Sequence, residues 1–355
     1  MEEIVEETFG ERIDSSYDVV VVGGGAAGLS AALALGRARR TVLVVDAGAQ
    51  RNATAGHVHN YLARDGVKPA DLLAAGRAEV AGYGGHVITG TVASAEHLDG
   101  SEAENPADGA RFRVVLADGR SVRARRLLVT TGLVDELPDV PGLAERWGRD
   151  VLHCPYCHGW EVRDQAIGVL ATGPFGVHGA LLFRQWSPDI ALFLHTAPAP
   201  SEEQTEQLTA RGIAVIEGEV AALEVVDDQL TGVRLRSGDV IPRQAVVVAP
   251  RFTARADVLT TLGLEATEQQ VYGHVIGSHI AADAAGATAV PGVWVAGNVA
   301  DLLAQVIGAA AAGLNTGAAI NADLIAEDTA HAVAAHRIQL SANWDPATRR
   351  HAHEN

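Results

Sequence analysis

The stretch YDVVVVGGGAAG, from Tyr17 to Gly28, decides the fold. Tyr17 to Val22 reads as a short apolar strand that runs straight into a glycine turn. A helix-like run, Leu29 to Leu35, follows, and then a second strand, Thr41 to Val45, ending at Asp46. Strand, glycine turn, helix and strand make a βαβ unit. Each glycine of Gly23-x-Gly25-x-x-Gly28 has its own physical reason. Gly23 permits the tight turn, Gly25 lets a pyrophosphate approach the backbone, and Gly28 allows the helix to lie close to the strand. The helix start, with Ala26 and Ala27, turns its amide dipoles towards the phosphates. Asp46 stands about 20 residues on, where a ribose hydroxyl needs an acceptor. The unit predicts dinucleotide binding. The competing reading is a glycine-rich turn that binds nothing.

Outward from this unit, 355 residues give a prior of about two domains. Hydrophobic residues make up 48% of the chain and aromatic residues only 5%, with many small side chains, which suits α/β layers. Net charge is −17, which disfavours nucleic acid as a partner. The one tight basic cluster, Arg37, Arg39 and Arg40, falls at a helix C-terminus, where the dipole favours cations. No run of about 18 apolar residues is free of charge or turn signals, so no membrane span is expected. The acidic start, MEEIVEETFGERIDSS, is unlike a signal peptide, and a cytoplasmic location is expected.

Residues 53–85 read as a loop and a helix. Val87 to Glu96, Arg111 to Leu116 and Arg126 to Thr131 read as strands, with a polar, turn-like segment from Gly100 to Gly109 and a hairpin signal at Ala117 to Arg120. Leu133 to Pro141 reads as a linker into a second α/β unit, with strands at Ala166 to Ala171, Ile190 to His195, Ile213 to Glu217 and Ala245 to Ala249. After Pro250 the chain returns to the first unit, ending in the strand Val293 to Ala296 and a long helix of small residues, Gln305 to Ala326. A strand ending in Gly297-Asn298 ahead of that helix can offer an amide oxygen to a polyol. The expected division is an acidic, disordered segment 1–16, a discontinuous domain 17–135 with 252–330, a central domain 136–251, and a frayed tail 331–355.

The second chemical motif is His153-Cys154-Pro155-Tyr156-Cys157-His158. Two cysteines at i and i+3 can close a small disulfide ring, and a helix N-terminus or a nearby imidazole can lower a thiol pKa. Covalent haem attachment, Cys2His2 zinc and an inert buried pair compete with the redox reading. Haem attachment goes with export, and the histidine spacing is unlike a zinc finger. No metal is expected, and the redox pair is favoured because it follows a dinucleotide fold.

With these motifs together, the chain resembles the low-molecular-weight thioredoxin reductase family over roughly residues 17–327. The resemblance rests on the N-terminal fingerprint, the Thr130-Thr131-Gly132 crossover, the Cys-x-x-Cys pair and the Gly292-Val-Trp-Val-Ala-Gly-Asn298 strand. It implies an α/β fold of two Rossmann-like domains, the second inserted in the first. It also implies FAD as the ligand of the first fingerprint, and a homodimer. By the family pattern Cys157 faces the flavin and Cys154 exchanges with substrate. Gln305 and Val306 lie against the isoalloxazine, and Arg51, Asn60, Val92 and Gly132 join the cofactor contacts. Asn298 stands where the family usually has Asp.

Two departures from that pattern change the expected reaction. The central turn is Gly173-Pro174-Phe175-Gly176, with Phe175 at the middle glycine of a nicotinamide-binding motif. The 2′-phosphate position reads Leu194-His195-Thr196-Ala197-Pro198, with no arginine. The run Cys-Pro-Tyr-Cys-His-Gly-Trp-Glu is similar to that of the dithiol oxidases that close the disulfides of gliotoxin and holomycin. This implies an FAD-dependent oxidase acting on a small-molecule dithiol, with dioxygen as acceptor and hydrogen peroxide as product. His158 is the first candidate for the base that forms the thiolate, and His153 the next. The alternatives are a disulfide reductase fed by NAD(P)H or ferredoxin, and a non-catalytic flavin-binding sensor.

Overall fold

The computed structural model describes residues 13–98 and 109–342. In chain order the first half holds β1 (Ser16–Val22), α1 (Ala26–Arg37), β2 (Val42–Asp46), α2 (Pro69–Gly82), β3 (His86–Thr89), β4 (Val92–His97), β5 (Phe112–Leu116), β6 (Ser121–Val129) and β7 (Leu133–Glu136). Next come α3 (Leu143–Arg146), β8 (Val151–Leu152), α4 (Pro155–His158), β9 (Ile167–Leu170), α5 (Gly176–Phe183), β10 (Ile190–Phe193), α6 (Glu202–Ala210) and β11 (Ala214–Ile216). A meander of β12 (Val220–Val226), β13 (Gln229–Leu235) and β14 (Val240–Pro242) leads to β15 (Ala245–Val248). The chain closes with β16 (Arg251–Ala254), α7 (Asp257–Thr260), β17 (Thr267–Val271), β18 (His274–His279), β19 (Val293–Val295) and α8 (Val306–Ala342).

Among the described residues two parallel sheets carry the architecture. In the first, β3, β2, β1, β6 and β19 run parallel in that order, the arrangement of a Rossmann sheet. In the second, β11, β10, β9, β15 and β8 run parallel. The central strands of both are runs of Val, Leu and Ile buried on both faces, as parallel sheets covered by helices require. The second sheet lies between the two halves of the first in sequence, so the fold is α/β with one Rossmann-like unit inserted in another.

The small residues of α8 have a packing reason. A Cβ on Gly313 would come within 2.0 Å of the Ala27 carbonyl oxygen, so only glycine lets α8 lie on α1. Farther along, α8 is tied to the sheet by charge. Arg126, 2% exposed, donates to Asp323 at 2.5 Å and to Glu327 at 2.8 Å. Arg125 reaches Asp18, Glu327 and Asp328. Burial opposes a charged Glu327, but hydrogen bonds from Arg126 and Arg125 outweigh it and lower the carboxyl to about 2.

Several sequence expectations change here. The single strand expected at Val87 to Glu96 is two, β3 and β4, broken at Gly90. The expected linker at Leu133 to Pro141 contains β7, which pairs antiparallel with β16. The two crossings between units are therefore hydrogen-bonded to each other and not free loops. Helix α8 continues to Ala342, past His331 where polar composition predicted fraying. Of that tail, 343–355 lie outside the described residues, as do 1–12 of the expected disordered start and 99–108 of the turn-like segment. The basic cluster sits at the end of α1 as expected, with Arg40 paired to Asp328. No described helix is long and apolar enough to cross a membrane.

Candidate active site

The glycine turn after β1 separates what the fold requires from what it leaves free. A Cβ on Gly23 would meet the Thr130 carbonyl oxygen at 2.6 Å, and one on Gly28 would meet the Gly23 carbonyl oxygen at 2.0 Å. Thr130, at the end of β6, donates its hydroxyl to the Gly23 carbonyl at 2.8 Å. These positions are fixed by packing. At Gly25, the cap of α1, an added Cβ would have no atom within 4 Å, and its backbone is extended, with φ −78°. No clash in the protein demands that glycine, and the open space beside it is a cradle of the kind a pyrophosphate fills.

Gly25 opens on a cavity of about 1330 Å³. That exceeds the roughly 300–1,000 Å³ of an ordinary small-molecule site. Gly23, Ala26, Ala27, Asp46, Val92 and Gly132 line it, as do Asn298, Gln305 and Val306 from the far end of the chain. Asn298 donates both amide hydrogens to its own loop, to the Asp301 and Ala304 carbonyls at 2.9 Å each. This fixes the side chain and leaves its oxygen as the acceptor. Asp46 is buried and held by Arg77 at 2.5 Å and by the Gly48 amide at 3.2 Å. Arg77, on α2, was missed from sequence because it lies 31 residues from its partner and belongs to no motif.

The same cavity is lined by His153, Cys154, Cys157 and His158. Cys154 and Cys157 form a disulfide with Cα atoms 5.2 Å apart. Cys154 caps the one-turn helix α4, and its carbonyl accepts from the amides of Cys157 and His158. Both ring nitrogens of His158 are buried without a hydrogen-bond partner among the described residues. Burial lowers its pKa, with the nearby Glu161 raising it and His59 lowering it. A buried imidazole without partners, held neutral, is an available proton acceptor. His153 is differently placed. Its Nδ1 lies 3.2 Å from the Val248 carbonyl, and its ring stands edge-on to Phe252 at 5.2 Å. Burial lowers its pKa as well, opposed by the Val248 contact.

Three expected cofactor residues have other partners. Gly28 packs against the Gly23 carbonyl, the close approach expected of it, and is not among the lining residues. Arg51 lines the cavity, but it makes a two-pronged ion pair with Asp135 of β7, at 2.7 and 2.8 Å, and stacks over Phe252 at 5.2 Å. A guanidinium matched to a carboxylate in this way is satisfied within the protein. Asn60 is not among the lining residues. Its side-chain amide donates to the Tyr156 carbonyl, between the two cysteines, at 2.6 Å. The sequence carried no signal for that contact, which joins positions 96 residues apart.

The central turn Gly173 to Gly176 also borders the cavity. Phe175 does not take the middle-glycine place expected of it: Gly176 packs on Ala171 as Gly28 packs on Gly23, so the middle position is Gly173, where an added Cβ has no atom within 4 Å. The Phe175 ring stands edge-on to His274 of β18 at 5.8 Å. His195, near the place of a 2′-phosphate cation, spends its Nδ1 accepting the Val220 amide at 3.0 Å.

A model of the pyridine nucleotide-disulphide oxidoreductase family matches residues 17–313. The chain belongs to that family. It is a flavin-dependent disulfide oxidoreductase with the two-domain thioredoxin reductase fold. It is similar to the solved structure of HlmI, at 46% identity and a TM-score of 0.83, covering 92% of this chain and 98% of that one. It is similar to thioredoxin reductase sirT of Leptosphaeria maculans, 30% identical over 330 residues, or 89% of this chain and 97% of the relative. Thioredoxin reductase aclD of Aspergillus oryzae is 32% identical over 270 residues, 71% of this chain and 81% of its own.

Proposed function

We propose that the protein is an FAD-dependent dithiol oxidase that closes an intramolecular disulfide in a small molecule, with dioxygen as acceptor and hydrogen peroxide as product. In this reading residues 17–135 and 252–330 hold FAD, residues 136–251 present the cysteine pair, and the enzyme works as a cytoplasmic homodimer. The observation that carries it is the Cys154–Cys157 disulfide lining the same cavity as the open Gly25 turn, with the unpartnered imidazole of His158 beside it. Gly25 leaves room for a pyrophosphate, and the segment Leu194 to Pro198, where a 2′-phosphate would need a cation, carries no arginine. Electrons in this reading enter from thiols through the Cys154–Cys157 pair, which lines the cavity.

The residues divide the work. Gly25, Gly132 and the N-terminus of α1 would receive the pyrophosphate end of FAD, Asn298 would offer its oxygen to the ribityl chain, and Gln305 and Val306 would border the ring. FAD, when bound, would supply a two-electron acceptor for the reduced cysteine pair, with dioxygen as the final acceptor. A substrate thiolate attacks Cys154 Sγ, forming a mixed disulfide and releasing Cys157 as thiolate. His158 takes the proton of the second substrate thiol. That sulfur attacks the substrate sulfur of the mixed disulfide, closes the product and expels Cys154. Two thiol protons and two electrons leave the substrate, matching the two of each that turn dioxygen into peroxide.

The names of sirT and aclD favour a second reading, a thioredoxin-type reductase. The two separate in one assay. Enzyme mixed with small dithiols in air, without nicotinamide, should consume oxygen and form peroxide. Rapid bleaching of the flavin by NADPH, with no oxygen uptake across a panel of dithiols, would establish the reductase instead.

A further inference from the structure

Helix α4 and its cap residue Cys154 carry both sulfurs, yet a single turn is far below the length at which a helix supports itself. Its last carbonyls also lack partners inside the helix. Support comes from the loop between Val58 and Val67, which is closed at its base by a bridge between those two residues. Asn60 donates to the Tyr156 carbonyl at 2.6 Å. His59 Nε2 lies 3.3 Å from the Glu161 carboxylate, just beyond the helix. Asp65 secures the loop from behind, accepting the Asn60 backbone amide at 2.8 Å and facing His59 Nδ1 at 3.3 Å. Asn60 sits at φ 59°, a left-handed conformation that asparagine tolerates better than most side chains. A loop of the flavin-binding unit thus grips the redox turn of the inserted unit at its middle and its far end. Relative motion is the ordinary expectation for two units joined by a pair of strands, so this grip has something to resist.

We propose that Asn60 is a positioning residue for electron transfer: its amide holds the Cys154–Cys157 ring in the orientation in which the reduced pair meets the flavin. The proposal rests on the reading of that pair as the flavin's electron donor. Misplacement by about 1 Å can cost on the order of 100-fold in such a step. Asn60→Gly tests it, because glycine keeps the left-handed turn and removes only the amide. Flavin reduction by dithiothreitol is followed anaerobically by stopped flow, per bound flavin, beside hydrogen exchange of residues 153–161. The expected result is flavin reduction slower by about 10- to 100-fold and faster exchange in 153–161. Flavin content, and reoxidation of light-reduced flavin by air, should stay within about twofold of wild type, an order-of-magnitude tolerance. Reduction at the wild-type rate overturns the proposal, and loss of flavin from Asn60→Gly overturns it in favour of a direct cofactor contact. If dithiols fail to reduce the wild-type flavin, the donor reading fails and the proposed electron-transfer role falls with it. The exchange data then show separately whether Asn60 grips the turn.

Discussion

Replacing Gly25 by alanine adds a methyl group with no protein atom within 4 Å. The backbone there is extended, a conformation alanine adopts freely. Losing a glycine restricts the unfolded chain and stabilises by about 0.4–1 kcal/mol. Alanine is a poorer helix cap than glycine, which offsets this by an amount of the same order. The apoprotein's stability should therefore move by less than about 1 kcal/mol. Flavin binding should move much more, because the methyl occupies the space the pyrophosphate needs. Overpacking costs about 1–3 kcal/mol, and at 1.4 kcal/mol per factor of ten the dissociation constant rises by about 5- to 140-fold. Gly25→Val, with a branched side chain, should lose the flavin altogether. Gly28→Ala should do the reverse, damaging the fold itself, because its Cβ meets the Gly23 carbonyl oxygen at 2.0 Å. Thermal melting of the deflavinated variants and titration with FAD by fluorescence quenching separate the two effects. Full flavin occupancy in Gly25→Val would refute the placement of the cofactor.

Cys154→Ser should leave Cys157 free beside the flavin, with a long-wavelength charge-transfer band, whereas Cys157→Ser should abolish flavin reduction by any dithiol; normal turnover in either variant excludes the relay. His158→Ala should lose about 10²- to 10⁴-fold in rate, partly restored at high pH where thiols ionise unaided. Because burial holds His158 below the ordinary 6.5, the acid limb of wild-type kcat/KM should fall below that pH; a variant with an unchanged pH profile moves the role to His153. Glu327→Gln should destabilise the fold by about 3 kcal/mol near neutral pH, since it removes a carboxylate from buried Arg126. Because the folded carboxyl is lowered from 4.5 to about 2, that stabilisation is present above 4.5 and fades as pH falls towards 2. Equal melting temperatures at pH 7 would show that the ion cluster does not stabilise α8.

The parts of the fold legible in the sequence were those with a period or a required residue. The βαβ unit at Tyr17 to Asp46 announces itself through a run of valines, a glycine turn and an acid; its strands stand within one residue of the expected bounds, and its helix starts three residues earlier and ends two later. Strand β7 was hidden because Leu133 to Pro141 is rich in proline and acid. Only its pairing with β16, more than a hundred residues on, makes Leu133–Glu136 a strand. The length of α8 was hidden for another reason: the histidines from His331 on read as a polar tail, although Val333, Ile338 and Leu340 lie among them, exposed on the helix. At the site, cysteines and glycines were legible because their chemistry is local. The partners of Arg51 and Asn60 were not, since Asp135 and Tyr156 come from distant segments and no local pattern encodes a meeting in space.

The central turn has the same geometry as the first, and this corrects the match expected for Phe175. A Cβ on Gly176 would meet the Ala171 Cβ at 2.4 Å, just as one on Gly28 would meet the Gly23 carbonyl oxygen at 2.0 Å, so Gly176 is the glycine that packing fixes. Gly173 then takes the place of Gly25, and a Cβ added there also has no atom within 4 Å. Phe175 stands where the first fingerprint carries Ala27, and its ring reaches His274 on β18. The central unit departs from a nicotinamide site elsewhere: Leu194 to Pro198 carries no arginine, and His195 spends its Nδ1 on the Val220 amide. Both turns leave space beside a backbone glycine, so comparing NADPH with dithiols as the source of electrons decides between reductase and oxidase.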